Sequence, residues 1–181
     1  MKQSIRIIGG MHRGKKLYFS PVDGLRPTPD RVRETLFNWL MADIREARCL
    51  DAYAGSGALG FEAYSRGASR VVLVEHATIQ YHNLNQIAAM LATNQLNVIK
   101  ANANQFMLTC KEQFDIIFLD PPFASNQLDA SLTILTESAI LIAGGLVYVE
   151  SSKKPTMPSA NWEELKSKRA GQVYYGLYRK N

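Results

Sequence analysis

Cysteine is scarce in this chain. Only Cys49 and Cys110 occur among 181 residues, far apart and in no paired spacing. That excludes a disulfide scaffold and a CxxC metal knuckle. Neither follows a proline, which disfavours cysteine attack on a pyrimidine ring. His12, His76 and His82 are the only histidines and show no ligand spacing, so no metal is expected. No apolar run approaches the ~18 residues of a membrane span. Met1–Arg6 has no signal-peptide core, so a cytoplasmic protein without membrane contact is expected. Repeats and low-complexity tracts are also missing.

The length suits about one domain. A chain of this size buries roughly 70% of its unfolded surface, so it folds without staples. Charge is unevenly placed. Residues 1–50 carry ten Lys/Arg against five Asp/Glu, residues 51–150 four against nine, and residues 151–181 seven against two. Basic flanks around an acidic centre suggest a polyanion gripped at the periphery. A solvated surface with scattered lysines is the plain alternative.

Two β-prone runs, Ile5–Ile8 and Lys16–Phe19, flank Gly9-Gly10 and Gly14 and predict a hairpin. After a turn-rich stretch, Ser20 to Pro29, Asp30 reads as an N-cap. Val32, Leu36, Trp39, Leu40 and Ile44 then recur at helical spacing. Residues 1–45 thus form a basic hairpin-helix arm, followed by a core over 46–181 within a single domain. In that core, strands are predicted at Arg48–Asp51, Arg70–Glu75, Asn97–Lys100, Phe114–Asp120 and Leu146–Glu150. Helices are predicted at Ala58–Arg66, Ile79–Leu91, Asn104–Lys111 and Asp129–Ser138. The alternation implies an α/β, doubly wound, mostly parallel sheet. Trp162–Lys168 and Gln172–Tyr178 predict a closing antiparallel hairpin. Ligands bind such sheets at the carboxyl ends of the strands.

The first core strand runs into Asp51-Ala52-Tyr53-Ala54-Gly55-Ser56-Gly57-Ala58-Leu59-Gly60. These glycines fit GxGxxG between a strand and a helix, so a nicotinamide cofactor is one reading. Asp51 favours another. A carboxylate beside the loop suits a cofactor bearing an amine and a sulfonium, such as S-adenosyl-L-methionine, better than a pyrophosphate, which needs donors. The simpler role for Asp51 is capping the loop backbone. Glu75 ends the second strand, where it suits a ribose hydroxyl in either reading.

The fourth strand ends in Asp120-Pro121-Pro122-Phe123. Two prolines stop the strand and stiffen the loop. Asp120 and the Pro121 carbonyl can accept both hydrogens of a planar exocyclic amine, while Phe123 stacks on its base. Such acceptors orient a delocalised nitrogen lone pair toward a methyl group.

The combination resembles methyltransferases of exocyclic base amines. A closer resemblance covers nearly the whole chain. Ile5-Arg6-Ile7-Ile8-Gly9-Gly10, Arg13-Gly14-Lys15-Lys16-Leu17, Arg26 to Leu40, Leu50–Gly60, Asp120–Phe123, Tyr148-Val149-Glu150-Ser151 and Ala170-Gly171-Gln172-Val173 look like the RsmD family. The resemblance implies methylation of the N2 amine of guanine 966 of bacterial 16S rRNA, in an assembled or assembling small ribosomal subunit. It implies a Rossmann-like fold of seven strands, the last pair antiparallel. On matching positions, Asp51, Gly55 and Gly57 would surround the methionine part of the cofactor, and Ala54 would also contact the cofactor. Glu75 would bind the ribose, and Asn102 with Ala103 would lie near the adenine. Asp120, Pro121, Pro122 and Phe123 would hold the guanine, with Asp120 also beside the cofactor. The family commonly has an acid two positions after Glu75; Glu75-His76-Ala77 lacks it. Arg6, Arg13, Lys15, Lys16, Arg26, Arg31 and Arg33 are the candidates for RNA phosphate. Of these, Arg31 and Arg33 are also placed to pair with Asp30 or Glu34. A monomer is expected. Open alternatives are an adenine-N6 or DNA amine methyltransferase, and an RNA-binding assembly factor without turnover.

Overall fold

In the hairpin, side chains alternate between core and solvent. β1 (Gln3–Arg6) and β2 (Lys16–Phe19) pair antiparallel, with Ile5 opposite Leu17. Ile5, Leu17 and Phe19 face inward; Arg6, Lys16 and Tyr18 face out. A computed structural model describes residues 3–20, 27–123 and 125–181. β1 ends earlier than the sequence pattern predicted. Ile8 and Gly9 give their N–H groups to the carboxylate of Glu62, at 2.9 and 2.8 Å, rather than to a strand.

α1 (Asp30–Trp39) starts one residue before the expected first turn. Pro29 is its N-cap, and Asp30 is already helical with its carboxylate on Arg33. A proline preset near helical φ does not need a capping side chain to begin the turn. Ile44, expected on the helix, lies past its end in a turn and is still buried.

The core then alternates as its apolar runs require: β3 (Arg48–Asp51), α2 (Ala58–Ser65), β4 (Arg70–Glu75), α3 (Thr78–Leu91), β5 (Leu96–Lys100), α4 (Ala103–Thr109), β6 (Phe114–Leu119), α5 (Gln127–Glu137), β7 (Leu141–Ser151), β8 (Trp162–Ala170) and β9 (Val173–Lys180). β7 begins five residues before its predicted start, because Leu141 already pairs with Phe114 ahead of an irregularity in register. The seven strands lie in the order β5-β4-β3-β6-β7-β9-β8. β5 through β7 are parallel; β9 runs antiparallel between β7 and β8.

Both sheet faces are apolar, as a covered parallel sheet demands. Cys49, Val71, Ile116 and Phe118 point to the face packed by α1, α2, α3 and the hairpin. Leu50, Val72, Ile117 and Leu119 point to the face packed by α4 and α5. Ile5, Leu17, Leu36 and Phe37 of the arm belong to the same cluster as Phe61 and Phe118. Residue 45 is therefore not a packing boundary. Strand order reverses between β3 and β6, which opens a crevice at their carboxyl ends.

Candidate active site

A cavity of about 600 Å³ occupies that crevice. Its walls come from the loop after β3 (Asp51 to Ser56), the end of β4 (Glu75, His76), the start of α4 (Asn102, Ala103) and the end of β6 (Asp120 to Phe123). Pro27 and Thr28 of the arm close one side. The size falls within the usual range for small-molecule sites.

The β3–α2 turn owes its shape to two glycines. Gly57 precedes α2 at φ 78°, and a Cβ there would come within 2.3 Å of Phe61. At Gly60, in the first turn of α2, a Cβ would lie 2.7 Å from Leu73, so helix and strand could not approach as they do. Beneath this turn Asp51 is 2% exposed, and its Oδ2 accepts the Gly60 N–H at 2.9 Å. Burial pushes its carboxyl up to about 7, against the pull of backbone donors at Gly60 and Tyr53; the charges of Glu75 and Glu150 push it further. The Gly60 donor uses one of a carboxylate's four lone-pair positions. Asp51 therefore caps the loop and still faces the cavity.

Glu75 shapes the opposite wall. Its Oε2 accepts the Gly55 N–H at 3.0 Å and its Oε1 the Ala77 N–H at 2.8 Å. His76 lines the cavity with a side chain 75% exposed, its Nδ1 3.2 Å from Glu75 Oε1. Asn102 caps α4 by accepting the Gln105 N–H at 3.1 Å, which leaves its amide nitrogen free for a ligand. Beyond β6, Pro121 is buried and Phe123 is 47% exposed at the rim. Burial holds the Asp120 carboxyl well above the usual range, and the neighbouring charges of Glu150 and Asp51 add to this. These residues form a carboxylate-floored, partly apolar slot with an acid and an aromatic ring at one end. Its chemistry suits a cationic cofactor beside a planar amine.

A family profile described as conserved hypothetical protein 95 matches residues 5–179. Ribosomal RNA small subunit methyltransferase D of Haemophilus influenzae is 43% identical over 182 residues, 98% of this chain and 94% of that protein. Its namesake in Escherichia coli K12 is 45% identical over 179 residues, 97% and 90% of the two chains. The chain belongs to the RsmD family. The solved yhhF protein of Escherichia coli superposes with a TM-score of 0.90 at 45% identity, covering 99% of both chains. At 21% identity and a TM-score of 0.72, the 16S rRNA N2 methyltransferase RsmC of Thermus thermophilus, solved with AdoMet and guanosine, shares the fold; it covers 100% of this chain and 50% of that one. As an RsmD-family member with this sheet, the chain is a methyltransferase.

The RsmD-family arm displays only part of its cationic set. Arg6, Arg13, Lys15, Lys16 and Arg31 are exposed, and none has an ion-pair partner among the described residues. Arg26 lies outside the described residues. Arg33 corrects the expectation for RNA contact: it is 1% exposed and donates to Asp30 and to the Arg6 carbonyl, with Glu62 3.6 Å away. A guanidinium so enclosed fastens α1 to the hairpin and α2 and has no face left for phosphate. Glu62, 0% exposed, gathers Arg33, Arg66 and two backbone N–H groups.

Three residues that sequence reasoning did not assign to the site stand in or behind it: Thr28 lines the cavity, and Tyr148 and Glu150 lie behind it. The hydroxyls of Thr28 and Tyr148 donate to the same Glu150 oxygen, at 3.1 and 2.9 Å. Glu150 sits at the carboxyl end of the strand beside β6, a position that the strand-end rule marks for function. Thr28 carries no such signal; a residue 122 positions away meets Glu150 only through folding. Among the described residues no cluster of metal-binding side chains occurs, and no helix is long and apolar enough to cross a membrane.

Proposed function

We propose that the chain transfers a methyl group from S-adenosyl-L-methionine to the N2 amine of guanine 966 of 16S rRNA. The substrate is the assembled or assembling small ribosomal subunit in the cytoplasm. One observation carries this: a buried carboxylate-lined cofactor slot and the Asp120–Phe123 loop share a single cavity. The cofactor fits what is present. Asp51 offers a buried anion to the amine and sulfonium, Glu75 has lone pairs left for ribose hydroxyls, and Ala54, Gly55, Asn102 and Ala103 line the remaining wall. Once bound, it supplies an electrophilic methyl group. A pyrophosphate would meet Asp51 and Glu75, two acceptors of like charge, so a nicotinamide cofactor is disfavoured.

Asp120 and the Pro121 carbonyl accept the guanine amine's hydrogens and aim its lone pair. Pro121 and Pro122 fix that loop, and Phe123 stacks on the base. The amine would take the methyl group as that group's bond to sulfur breaks, leaving a neutral thioether, and would then lose one proton, which Asp120 accepts. Orientation of this kind supplies much of the rate. The exposed Arg6, Arg13, Lys15, Lys16 and Arg31 hold RNA phosphate beside the mouth. The arm, 1–45, and the core, 46–181, act as one domain and as a monomer.

The test is methyl transfer from labelled cofactor to small subunits that lack the mark, followed by nucleoside analysis. N2-methylguanosine is expected. N6-methyladenosine would replace the guanine reading, and no transfer in single turnover would leave an assembly factor.

A further inference from the structure

The Thr28 hydroxyl binds one carboxylate and shares the cavity with another. It donates to Glu150 Oε1 at 3.1 Å and lines the cavity together with Asp120. Asp120 and Glu150 directly follow the paired residues Leu119 and Val149 on adjacent parallel strands, so the two acids stand side by side. Thr28 is 6% exposed and Glu150 4%. Thr28 and Asp120 line the cavity, whereas Glu150 does not. Glu150 thus stands behind Asp120, one hydroxyl removed from any ligand.

A hydroxyl has one proton to give. It serves two carboxylates only by donating to one and accepting from the other, which requires a proton on the second. Like-charged carboxylates this close do not both stay ionised. Among the described residues, no lysine or arginine is paired with either acid. The groups that face the pair are themselves acidic or neutral. Asp51 of β3 acts on Asp120, and Glu75 of β4 acts on Asp51. Tyr148 of β7 faces Glu150, with Tyr175 of β9 acting on Tyr148. Tyr148 stays a neutral donor, because burial and the Glu150 charge hold its hydroxyl well above its ordinary value.

We propose that Asp120, Thr28 and Glu150 hold one proton jointly, and that Glu150 is the positioning residue that sets the charge of Asp120. With the proton on Glu150, Thr28 donates to Asp120, which is ionised and accepts the amine N–H. With the proton on Asp120, the Thr28 hydrogen turns to Glu150, and Asp120 has lost the charge that accepts a departing proton. The inference rests on the methyltransferase reading of the cavity. The amine's lone pair would form the bond to the methyl carbon as the carbon–sulfur bond breaks, its pair going to sulfur to leave a neutral thioether; one N–H bond then breaks and its electron pair stays on nitrogen. The proton passes to ionised Asp120. The pair then holds two protons and returns one to water at the cavity mouth.

The experiment follows the Asp120 side-chain carboxyl by ¹³C NMR in the full chain, without cofactor or RNA, and the pH profile of kcat with small subunits. Glu150→Gln keeps shape and gives Thr28 a permanent N–H donor, so the Thr28 hydroxyl donates to Asp120. The Asp120 midpoint should then fall by about one pH unit or more, a tenfold weaker hold on its proton. The acid limb of kcat should fall with it. Adding Thr28→Val to both the parent and the Glu150→Gln chain should abolish the difference between them, and Thr28→Ser should restore it. An Asp120 midpoint that is unchanged in Glu150→Gln overturns the proposal, whatever the activity. A parent chain that methylates no guanine refutes the functional reading instead, and the NMR titration still decides the shared proton.

Discussion

Asp51 makes cofactor affinity depend on pH in a calculable way. Its carboxyl is buried and pushed up to about 7, so the unliganded protein carries a proton there at mildly acidic pH. A cationic cofactor needs the ionised form. A unit charge at about 4 Å, in an effective dielectric of 20, contributes about 4 kcal/mol, or roughly three pH units. Binding should return Asp51 to about the ordinary carboxylate value near 4. Dissociation constants should therefore rise about tenfold at pH 6 and about a hundredfold at pH 5, relative to the plateau above 7. Calorimetry in buffers of different ionisation enthalpy should register about 0.9 proton released per cofactor at pH 6. Asp51→Asn should bind weakly and with no such slope. Affinity that stays flat between pH 5 and 7.5, or a slope that survives in Asp51→Asn, would refute the reasoning. The same raised value has a consequence for folding. The native state binds the extra proton, so unliganded stability should be highest below about pH 4 on this account and fall as pH rises toward about 7.

Glu75→Ala should weaken cofactor binding by about ten- to hundredfold, the loss of a charge-assisted contact of roughly 1.5–3 kcal/mol; unchanged calorimetric affinity would move the ribose site elsewhere. A triple Arg13→Ala, Lys15→Ala, Lys16→Ala chain should lower the salt slope of subunit binding by roughly 2 to 3, with cofactor affinity and melting intact. A slope equal to the parent's would remove the hairpin from the RNA grip. Glu62→Ala strips a fully buried carboxylate from Arg33 and from the Ile8 and Gly9 N–H groups. Urea unfolding should show a loss of about 3–5 kcal/mol, and a loss under about 1 kcal/mol would mean that the arm is not fastened there.

Local patterning alone determined much of this molecule. β3 and β4 run where their apolar residues and flanking turns placed them, because a strand buried on both faces has few other ways to satisfy its sequence. The same holds for the glycine turn, whose backbone conformation only glycine accepts cheaply, and for Asp120 at a strand end closed by two prolines. Strand boundaries at β1 and β7 were not legible. Ile8 leaves its strand for a carboxylate 54 positions away, and Leu141 finds Phe114 across the sheet. Charge on the arm was legible as a sum but not residue by residue: Arg33 and Arg31 look alike in sequence, yet packing against Glu62 encloses the first and leaves the second in solvent. Only the tertiary structure brought Thr28 to Glu150 and to the cavity that it shares with Asp120. Sequence spacing carries helical and strand periods over a few residues, whereas Thr28, Asp120 and Glu150 come from three segments that meet only when the whole sheet has closed beneath the arm.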